Sequence, residues 1–204
     1  MIKKFKIFET LSIWDEFVYK AKTGLIPKDE PDKISEKLSN LLTSGDKVLD
    51  ISVGYGQYAE YFIKKGFDVY GTDISDLAIK EMKEKYPDYK WLVHNTLDNF
   101  PFSENYFDLI FARLALHYFK KEDVGKILLD INRITKDDGL LYIMVKCSKT
   151  GNVNTGKISY SQEEWSDMVS ECFTILSIKE DIKKAYSFEN APSDILEIIA
   201  KKEN

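Results

Sequence analysis

A chain of 204 residues with 44% hydrophobic and 13% aromatic content has enough apolar material for one core and one domain. Charged residues make up 31%, and the formal net charge of −5 provides no basic stripe to replace the counterions of a nucleic-acid backbone. Cys147 and Cys172 are the only cysteines, so neither a disulfide framework nor a cysteine-based metal centre is expected. The opening MIKKFKIFETLSIW interleaves charges with apolar residues, and no run approaches a membrane span. The expected setting is a reducing cytoplasm, with no membrane, metal or nucleic acid.

Helical spacing over 9–23 places Phe8, Leu11, Trp14, Phe17, Val18 and Ala21 near one face. A loop with Pro27 and Pro31 follows, then a second helix over 32–43 that Gly45 stops. From residue 47 strands and helices alternate. KVLDI is strand one, 55–65 a helix, FDVYGTD strand two, and Ser75 caps the helix DLAIKEMKEKY. YKWLVH is strand three, FDLIFA strand four, 122–136 a helix, LLYIMVK strand five, and 161–172 a helix. FTILSIKEDI and DILEIIAKK are two last strands, joined by a polar segment without a helical stripe, which favours an antiparallel pair. The alternation predicts βαβ units and a mostly parallel sheet. The domain expected is 1–204, with a helical cap over 1–44 and an α/β core over 45–204.

The loop in VLDISVGYGQYAEYF follows strand one, where open α/β sheets bind ligands. Gly54 and Gly56 there either make the strand-to-helix turn or let backbone approach a ligand. Strand two ends in Asp73, seventeen residues after Gly56, where a carboxylate can accept both hydroxyls of a ribose. Loop and carboxylate together describe an adenosine site. Gly54, Gly56 and Ala59 also satisfy G-x-G-x-x-A, so a nicotinamide cofactor must be weighed. Asp50, four residues before Gly54, is a poor neighbour for a pyrophosphate and a good one for a cationic ligand. There is no room for a separate substrate domain. The Tyr-x-x-x-Lys match, Tyr86 to Lys90, falls before strand three, the wrong place for a short-chain dehydrogenase.

With these segments in this order, the chain resembles the class I, Rossmann-like S-adenosylmethionine-dependent methyltransferases, of the small bacterial methyltransferase-domain type. VLDISVGYG, VYGTDIS, FPFSENYFDLIFARLALHYF and INRITKDDGLLYIMVK carry the resemblance, which runs from about residue 45 to the C-terminus. It implies a three-layer, doubly wound sheet of seven strands, order 3-2-1-4-5-7-6, with strand seven antiparallel. Against the family's D-x-G-x-G-x-G, the chain reads Asp50-Ile-Ser52-Val-Gly54-Tyr-Gly56. The requirement at Ser52 is read as small size, with its backbone toward the methionine end of the cofactor. Thr96 stands where such enzymes often carry an aspartate for the adenine amino group, and Ile74 and Leu97 are placed to sandwich adenine.

The resemblance implies S-adenosyl-L-methionine as cofactor, S-adenosyl-L-homocysteine as product, and in-line methyl transfer. Ala112 carries the backbone contact to the methionine moiety, and ARLALHYF faces the methyl group. Arg113, one of only two arginines, either holds a substrate carboxylate or ties down a loop. His117 is a base, a substrate contact or a packing residue, and Arg133 is structural. The resemblance implies that an aromatic of the N-terminal helix, Trp14 or Tyr19, touches the cofactor; a core position explains Trp14 as well, so Tyr19, off the core stripe, is the better candidate. The polar loop over 147–160 is expected to be a mobile lip over the substrate pocket. The acceptor expected is a small molecule, and the chain a monomer or homodimer. The alternatives are a non-catalytic module binding the same cofactor, for which Ser52 and Thr96 speak, and a nicotinamide-dependent oxidoreductase.

Overall fold

The computed structural model describes residues 13–16, 33–148, 160–183 and 193–204. Seven strands form one sheet in the order β3-β2-β1-β4-β5-β7-β6. The chain divides into two compact units, Met1–Thr96 and Leu97–Asn204.

In the first unit, α1 (Lys33–Ser39) precedes β1 (Lys47–Ile51), α2 (Gln57–Lys64), β2 (Asp68–Asp73), α3 (Asp76–Lys85) and β3 (Lys90–Val93). β1 pairs parallel with β2 from Lys47↔Asp68 to Ile51↔Thr72, and β2 pairs parallel with β3. Val48, Leu49, Ile51, Val69 and Tyr70 are buried, as expected of strands covered on both faces. The α2 stripe Tyr58, Ala59 and Phe62 is buried, and so is the α3 stripe Ala78, Ile79 and Met82. α1 is shorter than the expected 32–43. Beyond its end the Thr43 amide donates to Asp46 Oδ2 (2.7 Å) across a turn that includes Gly45 at φ 92°. Gly71 lies within β2 because a Cβ there would come 2.6 Å from the Trp91 ring.

In the second unit, β4 (Phe107–Arg113) is followed by a 3₁₀ turn (Leu116–Tyr118), α4 (Lys121–Ile134), β5 (Thr135–Cys147), α5 (Gln162–Ser170), β6 (Thr174–Lys183) and β7 (Ser193–Lys201). β4 and β5 are parallel, while β7 runs antiparallel to both β5 and β6, as the polar connection implies. The α4 stripe Val124, Ile127, Leu128, Ile131 and Ile134 is buried. Ser161 and Glu164 form a capping box at the start of α5.

The sequence places 135–139 in a helix end and turn, whereas the structure has β5 beginning at Thr135. Thr135 is extended, its hydroxyl donates to Ile131 O (2.7 Å), and Asp138 turns the chain at φ 64°. Lys136 reaches Asp108 on β4 (2.7 Å), and the β4–β5 register shifts between Phe107 and Leu109 to accommodate the bulge. Arg133 is structural. It donates to Asp130 Oδ1, Phe102 O and Phe100 O at 2.7, 2.8 and 2.9 Å, fastening the segment that leads into β4.

Candidate functional site

The first unit carries the glycine loop. After β1, Ser52, Gly54 and Gly56 lie at φ 60°, 55° and 80°, alternating left-handed positions that throw the chain out of the strand and into α2. The bends are held by Val53 N–H to Thr72 O (3.0 Å) and Gly56 N–H to Val53 O (2.9 Å). The angle at 52, rather than size alone, explains why glycine suits that position. Ser52 is exposed, so its side chain clashes with nothing, yet it occupies backbone space that L-residues disfavour. Gly56 takes its left-handed angle beside the end of the Met82 side chain, which a Cβ there would have to displace. Gly54 has open space around its Cβ position, room for a ligand to approach the backbone.

Asp73 closes β2 and is 8% exposed. Its Oδ2 accepts the Gly54 amide and its Oδ1 the Ser75 amide, both at 2.9 Å, so the carboxylate is fixed in orientation with lone pairs left over. Burial raises its pKa, those amides pull it down, and the charge of Asp15 pushes it up, for a net rise. Ser75 is fully buried and caps α3, accepting from the Ala78 amide (3.0 Å) while its hydroxyl donates to Asp15. Asp50 is buried in β1, in register with Gly71, and Ile74 is half-buried. Thr96 is buried at the end of this unit.

In the second unit Leu97 is 52% exposed, Ala112 is fully buried in β4, and Arg113 is half-buried at the strand's end. Leu114 then turns at φ 55°, its amide bonded to Met144 O (2.7 Å), and leads into the 3₁₀ turn. That turn buries His117 against Tyr118, with ring centroids 4.1 Å apart. Neither ring nitrogen of His117 has a hydrogen-bond partner among the described residues. Burial, with a smaller push from the charge of Lys146, lowers its pKa to about 3. The imidazole is therefore neutral at pH 7 and too weakly basic to serve as a general base there. The Ser148 amide bonds Tyr160 O (3.0 Å), and the Tyr160 hydroxyl reaches Phe119 O (3.2 Å). Residues 149–159 of the expected lip, and Tyr19, lie outside the described residues. Among the described residues, no three metal-ligating side chains come together, and no helix is long and apolar enough to cross a membrane.

Sequence reasoning treats Ser75 only as a cap and misses Asp15, Gly71 and Lys146. No local signal links Asp15 to Ser75, sixty positions away. The period-2 packing that demands Gly71 depends on Trp91, on another strand.

A family profile described as a methyltransferase domain matches residues 49–143. An uncharacterized methyltransferase of Synechocystis is 32% identical over 108 residues, covering 52% of this chain and 50% of that protein. A phosphoethanolamine N-methyltransferase of Plasmodium falciparum is 27% identical over 162 residues, covering 74% and 57%. The chain thus spans about half the length of the curated relatives it matches. A solved S-adenosylmethionine-dependent methyltransferase of Methanosarcina mazei superposes with a TM-score of 0.72 at 18% identity, over 86% of this chain and 99% of that one.

Proposed function

We propose that this chain, which belongs to the class I, Rossmann-like S-adenosylmethionine-dependent methyltransferases, transfers the methyl group of S-adenosyl-L-methionine to a small-molecule acceptor. The observation that carries the reading is Asp73, a buried carboxylate at the end of β2, oriented by the amides of Gly54 and Ser75. It is fixed as a ribose acceptor must be, and the loop beside it offers unencumbered backbone at Gly54. The bound cofactor supplies an electrophilic methyl on a sulfonium.

The residues of this chain bind and orient. Asp73 takes the ribose hydroxyls, the Ser52–Gly56 backbone follows the cofactor's length, and buried Asp50 balances the positive methionine end. Ile74, Thr96 and Leu97 serve the adenine. Ala112 contributes backbone contact, and Arg113 an acceptor contact. His117 is a buried, uncharged ring rather than a base, because its proton affinity is too low at neutral pH. Displacement at a sulfonium methyl by an already nucleophilic acceptor needs positioning more than proton removal. A small acceptor is supported by the relative named for phosphoethanolamine and by the absence of net positive charge.

The test is thermal unfolding with S-adenosylhomocysteine, S-adenosylmethionine and NAD. A ligand at a hundred times its dissociation constant adds about 2.7 kcal/mol. For a chain this size that raises Tm by roughly 5–10 °C. The adenosyl ligands should produce the shift, NAD should not, and Asp73→Ala should abolish it. No shift with either adenosyl ligand would refute the reading. Binding without transfer across a broad acceptor panel would reassign the chain as a non-catalytic binding module.

A further inference from the structure

We infer that Asp15 is a positioning residue of the cofactor site, coupling the helical turn 13–16 to the ribose carboxylate through Ser75. This inference rests on the reading of Asp73 as the ribose acceptor. Three of the hydrogen bonds of Ser75 tie together different parts of the unit. Its amide orients Asp73 Oδ1 (2.9 Å), its oxygen caps α3 by accepting from Ala78 (3.0 Å), and its hydroxyl proton goes to Asp15 Oδ1. A cap needs only the acceptor function of that hydroxyl. The donor function is spent on a carboxylate sixty positions away, which local helix chemistry does not require.

Asp15 also lies near enough to Asp73 for its charge to raise the Asp73 pKa. Two carboxylates drawn toward one buried serine repel each other. Ligand hydroxyls donated to Asp73 spread its negative charge and relieve that repulsion. Docking of the turn and binding of a diol-bearing cofactor therefore favour each other, and the coupling is reciprocal. Ser75 transmits it, because the hydroxyl that Asp15 holds and the amide that holds Asp73 belong to one residue with no solvent-exposed surface.

The experiment uses the full chain as wild type, Asp15→Ala and Asp15→Asn. The asparagine oxygen still accepts the Ser75 hydroxyl. Calorimetric titration with S-adenosylhomocysteine should give a dissociation constant about tenfold weaker for Asp15→Ala, the loss expected for a hydrogen bond to a charged group. Asp15→Asn, which keeps the acceptor oxygen and loses the charge, should fall between wild type and Asp15→Ala. Hydrogen exchange at the amides of 13–16 should slow when ligand is added to wild type and Asp15→Asn, and not to Asp15→Ala. A purely structural tie would lower the ligand-free Tm and leave affinity and ligand-dependent exchange unchanged, which overturns the inference. Asp15→Asn binding as weakly as Asp15→Ala overturns the hydrogen-bond route. If Asp15→Ala does not fold, Asp15→Asn against Ser75→Ala makes the same comparison. Failure of the cofactor reading itself shows in wild type, as no binding at all, before any variant is compared.

Discussion

Ser52→Gly tests whether the glycine loop is governed by backbone angle or by side-chain size. Ser52 sits at φ 60° with its side chain in solvent, so no packing is lost on truncation. A residue with a Cβ in this region costs about 1–2 kcal/mol relative to right-handed backbone. Glycine's extra freedom in the unfolded chain takes back roughly 0.4–1 kcal/mol. The difference leaves Ser52→Gly about 0.5–1 kcal/mol more stable than wild type. Each kcal/mol moves Tm by about 2–4 °C at this chain length, so calorimetry should show a rise of about 1–4 °C. Ser52→Ala keeps the Cβ and removes only the hydroxyl, and should stay within about 0.5 kcal/mol of wild type. Ser52→Val, β-branched at the same angle, should fall below it. If Ser52→Ala gains as much as Ser52→Gly, or if glycine lowers Tm, angular strain is not what the position selects against.

Other perturbations follow from the same geometry. Gly56→Ala combines a left-handed angle with overlap on Met82, and should cost about 2–4 kcal/mol in urea unfolding. His117 has a folded pKa of about 3, below the ordinary 6.5, so the unfolded chain takes up that proton first as pH falls. Its contribution is complete above about pH 6.5 and is lost as pH drops toward 3. Stability should fall by roughly 2 kcal/mol from this group between pH 7 and 4.5, and His117→Gln should flatten that part of the profile. For the same reason, turnover between pH 6 and 8 should show no inflection that His117→Gln removes. Arg133→Ala leaves Asp130 Oδ1 and two carbonyls without the guanidinium, and should cost about 2–3 kcal/mol by urea midpoint. Arg133→Lys should recover little, since one ammonium cannot replace a planar fork serving three acceptors.

The strands were legible because burial on both faces forces continuous apolar runs such as KVLDI and LLYIMVK, with Gly66 at φ 87° marking the break between α2 and β2. The antiparallel last pair was legible from what its connection lacks, a helical stripe. The start of β5 was not. Thr135–Gly139 reads locally as a helix end, but Lys136 to Asp108 and Lys202 to Thr135 O (2.9 Å) hold it alongside distant partners. Those contacts outweigh a propensity difference of well under 1 kcal/mol per residue.

The candidate site divides in the same way. The turn at Gly54 and Gly56 and the place of Asp73 at the end of β2 could be read because their spacing is imposed locally, by one turn and the strand that follows. The role of a residue such as His117 could not, because residue type suggests a base while its charge state is decided by burial and by Lys146, far along the chain on β5. A histidine needs solvent or a carboxylate partner to work as a base near neutrality. The 3₁₀ turn that places His117 against Tyr118 removes the first, and no carboxylate is among the causes that set its pKa. What the sequence presents as an acid–base candidate is thus, in the folded chain, a buried ring whose nitrogens meet no hydrogen-bond partner among the described residues. If the proposed methyl transfer is right, its acceptor must already be nucleophilic, because this ring does not take its proton near neutrality.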